Sequence, residues 1–231
     1  MNSPRLHVPL GLRLRRGLTR GVARILYLIL GRVDVRGLEN IPHGTPYVAA
    51  INHTSIFDAP LMLAFWPESI AAIGAADVFD KPVQGQIVSL YGTTPVHRGS
   101  YDRALIEDML VTLRSGMPLL IAPEGGRSHA PAMRRAKPGI AYIVEETGVP
   151  VVPVGIFGAT DDFLKRGLRF QRPRIGMRVG KPFHLPPLEL RGEARREARQ
   201  RNADMVMRRI AELLPPEYHG VYAAEGPLNT P

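Results

Sequence analysis

Short apolar runs alternate with amphipathic stretches along most of this chain, and that alternation constrains its fold more than any other feature. Continuous apolar runs are typical of strands that are buried on both faces of a parallel sheet. The predicted strands are 46–51, 69–75, 93–96, 117–122, 149–157 and 175–179, and the predicted helices are 59–65, 82–91, 101–113, 139–146 and 190–214. Strands that alternate with helices predict an α/β layered domain with a largely parallel sheet.

The N-terminal 32 residues are basic, and no acid precedes Asp34. From Leu18 to Leu30 the apolar residues are spaced as on one face of a helix. Such a helix, with arginines on its flank, can lie in a lipid interface or can simply pack on the domain. Its apolar part is far shorter than the roughly 18 residues of a membrane span, so no bilayer-crossing segment is predicted. The arginines of this segment are Arg5, Arg13, Arg15, Arg16, Arg20, Arg24 and Arg32.

Composition narrows the partners and the chemistry. The formal net charge of +9 and the pI near 10.3 favour an anionic partner, such as nucleic acid, a membrane surface or a phosphorylated substrate. The lack of cysteine excludes disulfides, thiolate metal sites and a cysteine nucleophile. The histidines have no short metal-ligand spacing, so no metal is expected. A non-catalytic module that binds anionic lipid or nucleic acid is a remote alternative, disfavoured because aromatic residues are only 6% of the chain and no usual nucleic-acid module is recognisable.

Three polar segments follow predicted strands, where ligands bind in open α/β sheets. The first holds His53 and, five positions later, Asp58. Histidine is well suited to proton transfer near neutral pH, and a carboxylate bonded to its far ring nitrogen fixes the tautomer. Ser55 and Asp58 are also ordinary helix-start residues, so a helix cap is the alternative interpretation.

The second polar segment covers residues 123–128. Its adjacent glycines, Gly125 and Gly126, let backbone N–H groups approach a ligand closely. The planar fork of Arg127 suits phosphate, and the nearby Lys137 adds positive charge. The alternative is a tight turn that carries a solvent-exposed arginine.

The third polar segment covers residues 92–98 and ends in Arg98. This arginine follows a short predicted strand and is a candidate second phosphate ligand. A surface arginine is the default interpretation of the same pattern. If all three segments lie at the carboxyl ends of parallel strands, they converge on one crevice.

Together and in this order, the segments resemble the lysophospholipid acyltransferase family, in which enzymes transfer a fatty acyl group to a lysophosphatidic acid. The four family blocks are matched by residues 52–58 (Asn-His-x4-Asp), 92–98, 123–128 and 149–155, the last being a hydrophobic strand near the acyl site. The resemblance runs from about Val35 to Pro182.

The resemblance implies an αβα layered domain with a mostly parallel mixed sheet and an N-terminal basic amphipathic helical element that docks on a membrane. It implies direct acyl transfer in phospholipid synthesis, from acyl-CoA or acyl-carrier protein to lysophosphatidic acid, which gives phosphatidic acid. In this reaction His53 acts as general base and Asp58 orients it, with no cofactor. The predicted substrate-binding residues are Asn52, Arg98, Glu124, Gly125, Gly126, Arg127, Ser128 and Lys137.

Departures from the family pattern leave the acceptor open. Gly126 stands where the family usually has threonine, and Ala122 replaces a common phenylalanine. Ala75 and Ala76 occupy a region in which many members carry a lysine that contributes to phosphate binding. Another lyso-lipid or a glycolipid is therefore an alternative acceptor.

The predicted organisation has three parts: a membrane-docking segment 1–34, an acyltransferase domain 35–214 and a C-terminal tail 215–231. Anionic lipid attracts basic residues near its surface by about 1 kcal/mol each. The prediction is therefore a peripheral protein at the cytoplasmic face of the cell membrane, with anionic lipid and no nucleic acid among its partners.

Overall fold

Seven strands form one mixed sheet in the computed structural model, which describes residues 9–81, 84–96, 103–128, 130–188 and 191–223. The strands are β1 Arg32–Arg36, β2 Val48–Ile51, β3 Ala71–Ala75, β4 Thr94–Val96, β5 Leu119–Ile121, β6 Val151–Phe157 and β7 Arg174–Val179. Their order across the sheet is β1-β7-β6-β2-β5-β3-β4, and β6 and β7 run antiparallel while the other neighbours run parallel. The predicted α/β fold with a mostly parallel mixed sheet is confirmed.

The helices of the described residues are α1 Leu10–Leu30, α2 Asp58–Phe65, α3 Ala76–Phe79, α4 Gln84–Tyr91, α5 Arg103–Arg114, α6 Gly139–Thr147, α7 Phe163–Leu168 and α8 Gly192–Ala211. The described residues also contain short 3-10 helices, one between β1 and β2 at Leu38–Asn40 and two after α8 at Pro216–Tyr218 and Gly220–Tyr222. The sequence-based prediction contains α2, α4, α5, α6 and α8 but has no counterpart of β1, α3 or α7.

The central strand β2 is buried on both faces of the sheet. Ala49 and Ile51 belong to a core that also contains residues of α1 and α2, whereas Val48 and Ala50 belong to a second core with α5, α6 and α8. This division follows from the alternation of side chains along a strand. Helices therefore cover both faces, and the carboxyl end of β2 opens at the middle of the sheet edge.

Three arginines of α1 turn toward the protein. Arg16 is only 6% exposed, and its guanidinium donates a hydrogen bond of 2.9 Å to the carbonyl of Tyr91 at the end of α4. Arg20 donates to backbone carbonyls at the end of α2. The Arg24 guanidinium lies 5.2 Å from the centroid of the Phe65 ring. These contacts attach α1 to the domain through its basic side.

The opposite side of α1 is aliphatic and exposed. Its residues are spaced three or four apart and so form one stripe along the helix, which consists of Leu10, Leu14, Leu18, Val22, Ile25 and Ile29. Among the described residues, no helix combines the length and the apolar character needed to cross a membrane.

The predicted parts 1–34, 35–214 and 215–231 are joined by contacts across both predicted boundaries in the described residues. Strand β1 spans the boundary at residue 34 and pairs with β7. Hydrogen bonds from β7, chiefly from Arg178, lower the pKa of Asp34 to about 2. In the C-terminal segment, the Tyr222 hydroxyl accepts from the Ala136 amide at 2.8 Å and donates to Asp204 of α8 at 2.7 Å.

Candidate active site

The loop after β2 brings His53 against Asp58, the first residue of α2. The distance between Nδ1 of His53 and Oδ2 of Asp58 is 3.1 Å. The same oxygen accepts hydrogen bonds of 2.7 Å from the backbone amides of Thr54 and Ser55. The amides that Asp58 binds precede α2, and the N-cap residue of that helix, Phe57, makes no side-chain cap hydrogen bond. The contact therefore favours the pairing with the imidazole over the helix-cap interpretation.

The protonation of the pair follows from these contacts. Two amides can only donate, so Oδ2 of Asp58 acts as an acceptor and Nδ1 of His53 supplies the third proton. Burial raises the pKa of Asp58, and its other oxygen, Oδ1, is buried with no hydrogen-bond partner among the described residues. With Nδ1 engaged, Nε2 of His53 remains as the basic nitrogen, and the His53 side chain is 18% exposed.

Asn52, which the sequence predicts to bind substrate, has its side-chain amide bonded to the backbone of β6. The side chain is fully buried, and it donates to the carbonyl of Ile156 at 2.8 Å and accepts from the amide of Ile156 at 2.7 Å. The side-chain oxygen and nitrogen thus both bond to the backbone of β6, and they extend the hydrogen bonding between β2 and β6 beyond Ile51. Asn52 fixes the loop of His53 to the neighbouring strand.

Glu124, in the loop after β5, also binds backbone. One carboxylate oxygen accepts from the amide of His53 and the other from the amide of Arg134, each at 2.9 Å. The residue is buried, and this burial raises the pKa of Glu124. Its carboxylate supports the loop that carries His53, and the substrate contact that the sequence predicts for Glu124 stays a prediction.

The rest of this loop continues the contact with the first segment. The Ser128 amide donates to the carbonyl of His53 at 2.7 Å. Both peptide groups of His53 are therefore hydrogen-bonded to residues 123–128, the segment that matches the third family block. Gly125 has φ +67°, and a Cβ there would lie 2.7 Å from Cδ of Lys137, so the lysine side chain covers the turn. The Gly126 carbonyl accepts from the Arg134 guanidinium at 3.1 Å.

A residue that the sequence interpretation misses, Asp161, links the loop after β6 to the other two loops. Its Oδ1 accepts from the Ser55 hydroxyl at 3.0 Å and from the Ile56 amide at 3.4 Å. Its Oδ2 lies 3.6 Å from Nη1 of Arg127, and its side chain is 61% exposed. The only signal in the sequence is an acid placed shortly after a buried strand of a basic chain.

Residues 97 and 98 of the predicted segment 92–98, including the candidate phosphate ligand Arg98, lie outside the described residues. Strand β4 itself ends at Val96, at the same edge of the sheet as β3. Among the residues that the structure describes, no group of histidine and carboxylate side chains is arranged to hold a metal ion.

The pair of His53 and Asp58, and the loop after β5 that is hydrogen-bonded to the backbone of His53, both lie in the region matched by a known family. The sequence profile of the family described as Acyltransferase matches residues 32–157, more than half of the chain. The chain belongs to the acyltransferase family. The predicted family resemblance is therefore confirmed, and this match includes β1, β2, β5 and β6 with the loops that follow β2 and β5.

Curated relatives and a solved structure agree with this assignment. The 1-acyl-sn-glycerol-3-phosphate acyltransferase alpha of Ovis aries is 29% identical over 171 residues, and the chain spans 58% of its length. A lyso-ornithine lipid O-acyltransferase of Pseudomonas aeruginosa is 31% identical over 205 residues, covering 81% of this chain and 77% of the relative. The 1-acyl-sn-glycerophosphate acyltransferase of Thermotoga maritima shares the fold, with a TM-score of 0.60, 24% identity and coverage of 87% and 79% of the two chains.

Proposed function

We propose that this acyltransferase moves a fatty acyl group from a thioester, acyl-CoA or acyl-carrier protein, directly to the free hydroxyl of a lyso-lipid. The observation that carries the proposal is the imidazole of His53, whose Nδ1 is bound to Asp58 and whose Nε2 remains as the base. In the proposed step, Nε2 takes the proton of the acceptor hydroxyl while its oxygen attacks the thioester carbonyl. The C–S bond then breaks, and the departing thiolate takes the proton from His53.

The site favours direct transfer over an acylated enzyme. The chain has no cysteine. Ser55, the serine beside the pair, is 1% exposed, and its hydroxyl already donates to Asp161. A thioester is an activated donor, so positioning and proton transfer suffice without ATP or a metal. Positioning of two substrates contributes roughly 7–11 kcal/mol, and a general base contributes about 10²- to 10⁴-fold in rate.

Lysophosphatidic acid is the first proposed acceptor, and phosphatidic acid is then the product. The relatives from Ovis aries and several other organisms carry this reaction in their names. Arg127, one-quarter exposed at the edge of the site, and Lys137 across the glycine turn are the proposed phosphate ligands, together with Arg98. Guanidinium and ammonium groups are the usual partners of phosphate oxygens in proteins.

A lyso-lipid with an amino-acid headgroup is the second candidate acceptor. The relative from Pseudomonas aeruginosa, named for lyso-ornithine lipid, matches more of this chain than the relative from Ovis aries does. Arg127 and the exposed carboxylate of Asp161 place opposite charges 3.6 Å apart. This pair suits a headgroup that carries both an ammonium and a carboxylate, whereas Asp161 repels a phosphate.

Release of free thiol tests the reaction and the acceptor together. Purified protein is incubated with acyl-CoA or acyl-carrier protein and with lysophosphatidic acid, lyso-ornithine lipid or no acceptor. The proposal requires thiol release that depends on an acceptor and an acylated lipid product in equal amount. Thiol release without acceptor and with no lipid product contradicts acyl transfer.

Asp161→Asn separates the two acceptors. Loss of the negative charge is expected to lower KM for lysophosphatidic acid and to raise KM for lyso-ornithine lipid, each by about two- to fivefold, because an exposed ion pair is worth little more. Asparagine still accepts from the Ser55 hydroxyl, so the fold is kept. Asp162→Asn is the matched control, since the side chain of the neighbouring Asp162 is hydrogen-bonded only to the Thr160 hydroxyl among the described residues. Equal changes for both acceptors contradict a role in headgroup choice.

The aliphatic stripe of α1 is the proposed membrane contact at the cytoplasmic face. The sequence predicts docking by attraction between arginines and anionic lipid, whereas the stripe would dock by inserting apolar side chains. Arg16 and Arg20 are hydrogen-bonded to carbonyls of the protein and the exposed Arg24 lies over the Phe65 ring, whereas the stripe faces outward. Insertion of apolar side chains into the lipid interface, with a smaller contribution from the exposed Arg13 and Arg15, supports peripheral binding. Lipid acceptors are reached from that surface without leaving the bilayer.

Val22→Asp tests this contact. We expect about tenfold weaker co-sedimentation with phosphatidylcholine–phosphatidylglycerol vesicles, since the change removes one apolar contact and adds a charge. Val111→Asp is the matched control, because Val111 on α5 is 48% exposed and Val22 is 50% exposed. Equal losses in the two variants, or binding that disappears in high salt, contradict docking through the aliphatic stripe.

A further inference from the structure

The turn after α7 exposes an unusual group of apolar side chains. Leu164 and Leu168 lie four residues apart on α7 and are both exposed, and Phe170 just beyond the helix is 91% exposed. Phe163, by contrast, is buried against Tyr27 and Phe57 in the core. One side of α7 therefore anchors the helix, and the other side holds its apolar residues in solvent.

Phe170 stands in a position that glycine normally fills. Its φ is +58°, and the hydrogen bonds Phe170 N to Gly167 O (2.9 Å) and Gln171 N to Arg166 O (3.1 Å) form the Schellman motif at the end of α7. The residue at this position adopts the left-handed conformation, which is costly for a bulky side chain. Neither packing nor backbone geometry accounts for a phenylalanine here, so the ring itself has a use in solvent.

The turn is held against the end of α1. A Cβ on Gly167 would meet Cβ of Leu30 at 2.8 Å, so the two helices touch there. The Arg172 guanidinium donates to the carbonyls of Leu28 and Gly31, at 3.0 and 3.3 Å. The apolar tip of the turn is thereby fixed at the C-terminal end of the helix that carries the aliphatic stripe.

Positive charge surrounds this tip. Residues 163–174 contain five cations and no acid. Lys165, Arg166 and Arg169 lie beside the tip, while Arg172 donates to carbonyls at the end of α1 and Arg174 pairs with Asp34. An apolar tip with a cationic rim matches a bilayer that has anionic headgroups, because the ring enters the acyl boundary and the cations stay with the phosphates.

We propose that Phe170, with Leu168 and Leu164, is a second membrane-inserting point, and that its occupant is an anionic lipid bilayer. The helix α1 alone gives one line of contact, about which the domain can roll. A second contact beside the last turn of α1 fixes the rotation of the domain on the membrane. This binding requires neither the acyl donor nor the acceptor, so it stands or falls separately from acyl transfer.

The test uses the full chain and vesicles of phosphatidylcholine with phosphatidylglycerol. Phe170→Gly is expected to weaken co-sedimentation about tenfold, the effect of withdrawing one aromatic side chain from an apolar phase. The same variant is expected to keep or raise the melting temperature, since glycine is unstrained at positive φ. A merely structural ring would lower the melting temperature, and unchanged co-sedimentation would overturn the proposal.

Two further measurements identify the occupant. Phe170→Trp is expected to show a blue shift of its emission on vesicle addition, against the wild-type signal of Trp66, which is the one tryptophan of the chain and is buried. Leu168→Ala is expected to weaken binding more than Val221→Ala, a control of equal 65% exposure. No blue shift, equal losses in Leu168→Ala and Val221→Ala, or self-association through Phe170 without vesicles would each overturn a lipid occupant.

Discussion

His53→Ala is expected to lower kcat/KM for acyl transfer by about 10²- to 10⁴-fold, the usual contribution of a positioned general base. The imidazole makes one hydrogen bond among the described residues, to Asp58, and it fills no core space, so the fold is retained. Its peptide groups stay bound to Glu124 and Ser128 in the variant, which keeps the loop in place. Thiol release at saturating donor, with the melting temperature beside it, measures both effects.

His43→Ala is the matched control for that experiment, because His43 is an exposed histidine of the same region outside the site. It should leave the rate unchanged. Full activity in His53→Ala would contradict general-base catalysis by this residue. An acylated protein isolated after reaction with donor alone would contradict direct transfer while leaving the family assignment intact.

The sequence predicts the centre of the fold because its strands are buried on both faces. Continuous apolar runs mark β2, β5 and β6, and their parallel arrangement follows from the helices between them. Strand β1 is missed because it is an edge strand in which charged residues alternate with valine. It is stabilised by Arg178, a residue 144 positions away from Asp34. The short helix α7 lacks the length needed for a periodic signal.

The aliphatic periodicity of α1 is visible in the sequence, but the sequence does not show which face of the helix packs on the domain and which face lies in solvent. A predicted basic flank would normally lie in solvent. Here the carbonyls at the ends of α2 and α4 provide acceptors for Arg20 and Arg16, and the arginine side becomes the packed side. The helix also begins at Leu10, eight residues before Leu18, the residue from which the sequence predicts it.

Within the site, the distance along the chain decides what can be predicted. His53 and Asp58 are five positions apart, so a single turn brings them together. Asn52 and Glu124 reach their partners across 104 and 71 positions, and residue type alone cannot distinguish a backbone clamp from a substrate ligand. Asp161 is a comparable case, since only the packing of β6 beside β2 brings it to Ser55.

Asp58→Asn is expected to lower kcat by about 10²- to 10⁴-fold with little change in KM. The asparagine oxygen can occupy the place of Oδ2 and accept from Thr54, Ser55 and His53, so the imidazole stays oriented. What is lost is the negative charge, which stabilises the imidazolium only when the proton has moved. An interaction that exists mainly in the transition state lowers kcat more than it changes substrate binding.

The double variant His53→Ala/Asp58→Asn distinguishes this role from a structural one. If Asp58 acts through the imidazole, the double variant is no slower than His53→Ala alone, because residues that work as a unit are not additive. Asp58→Asn also leaves an amide nitrogen at the buried site of Oδ1, which is expected to lower stability by about 1–3 kcal/mol. That loss appears in both backgrounds, so chemical denaturation separates it from the kinetic effect. Multiplied rate losses in the double variant would show that Asp58 acts on the reaction independently of His53.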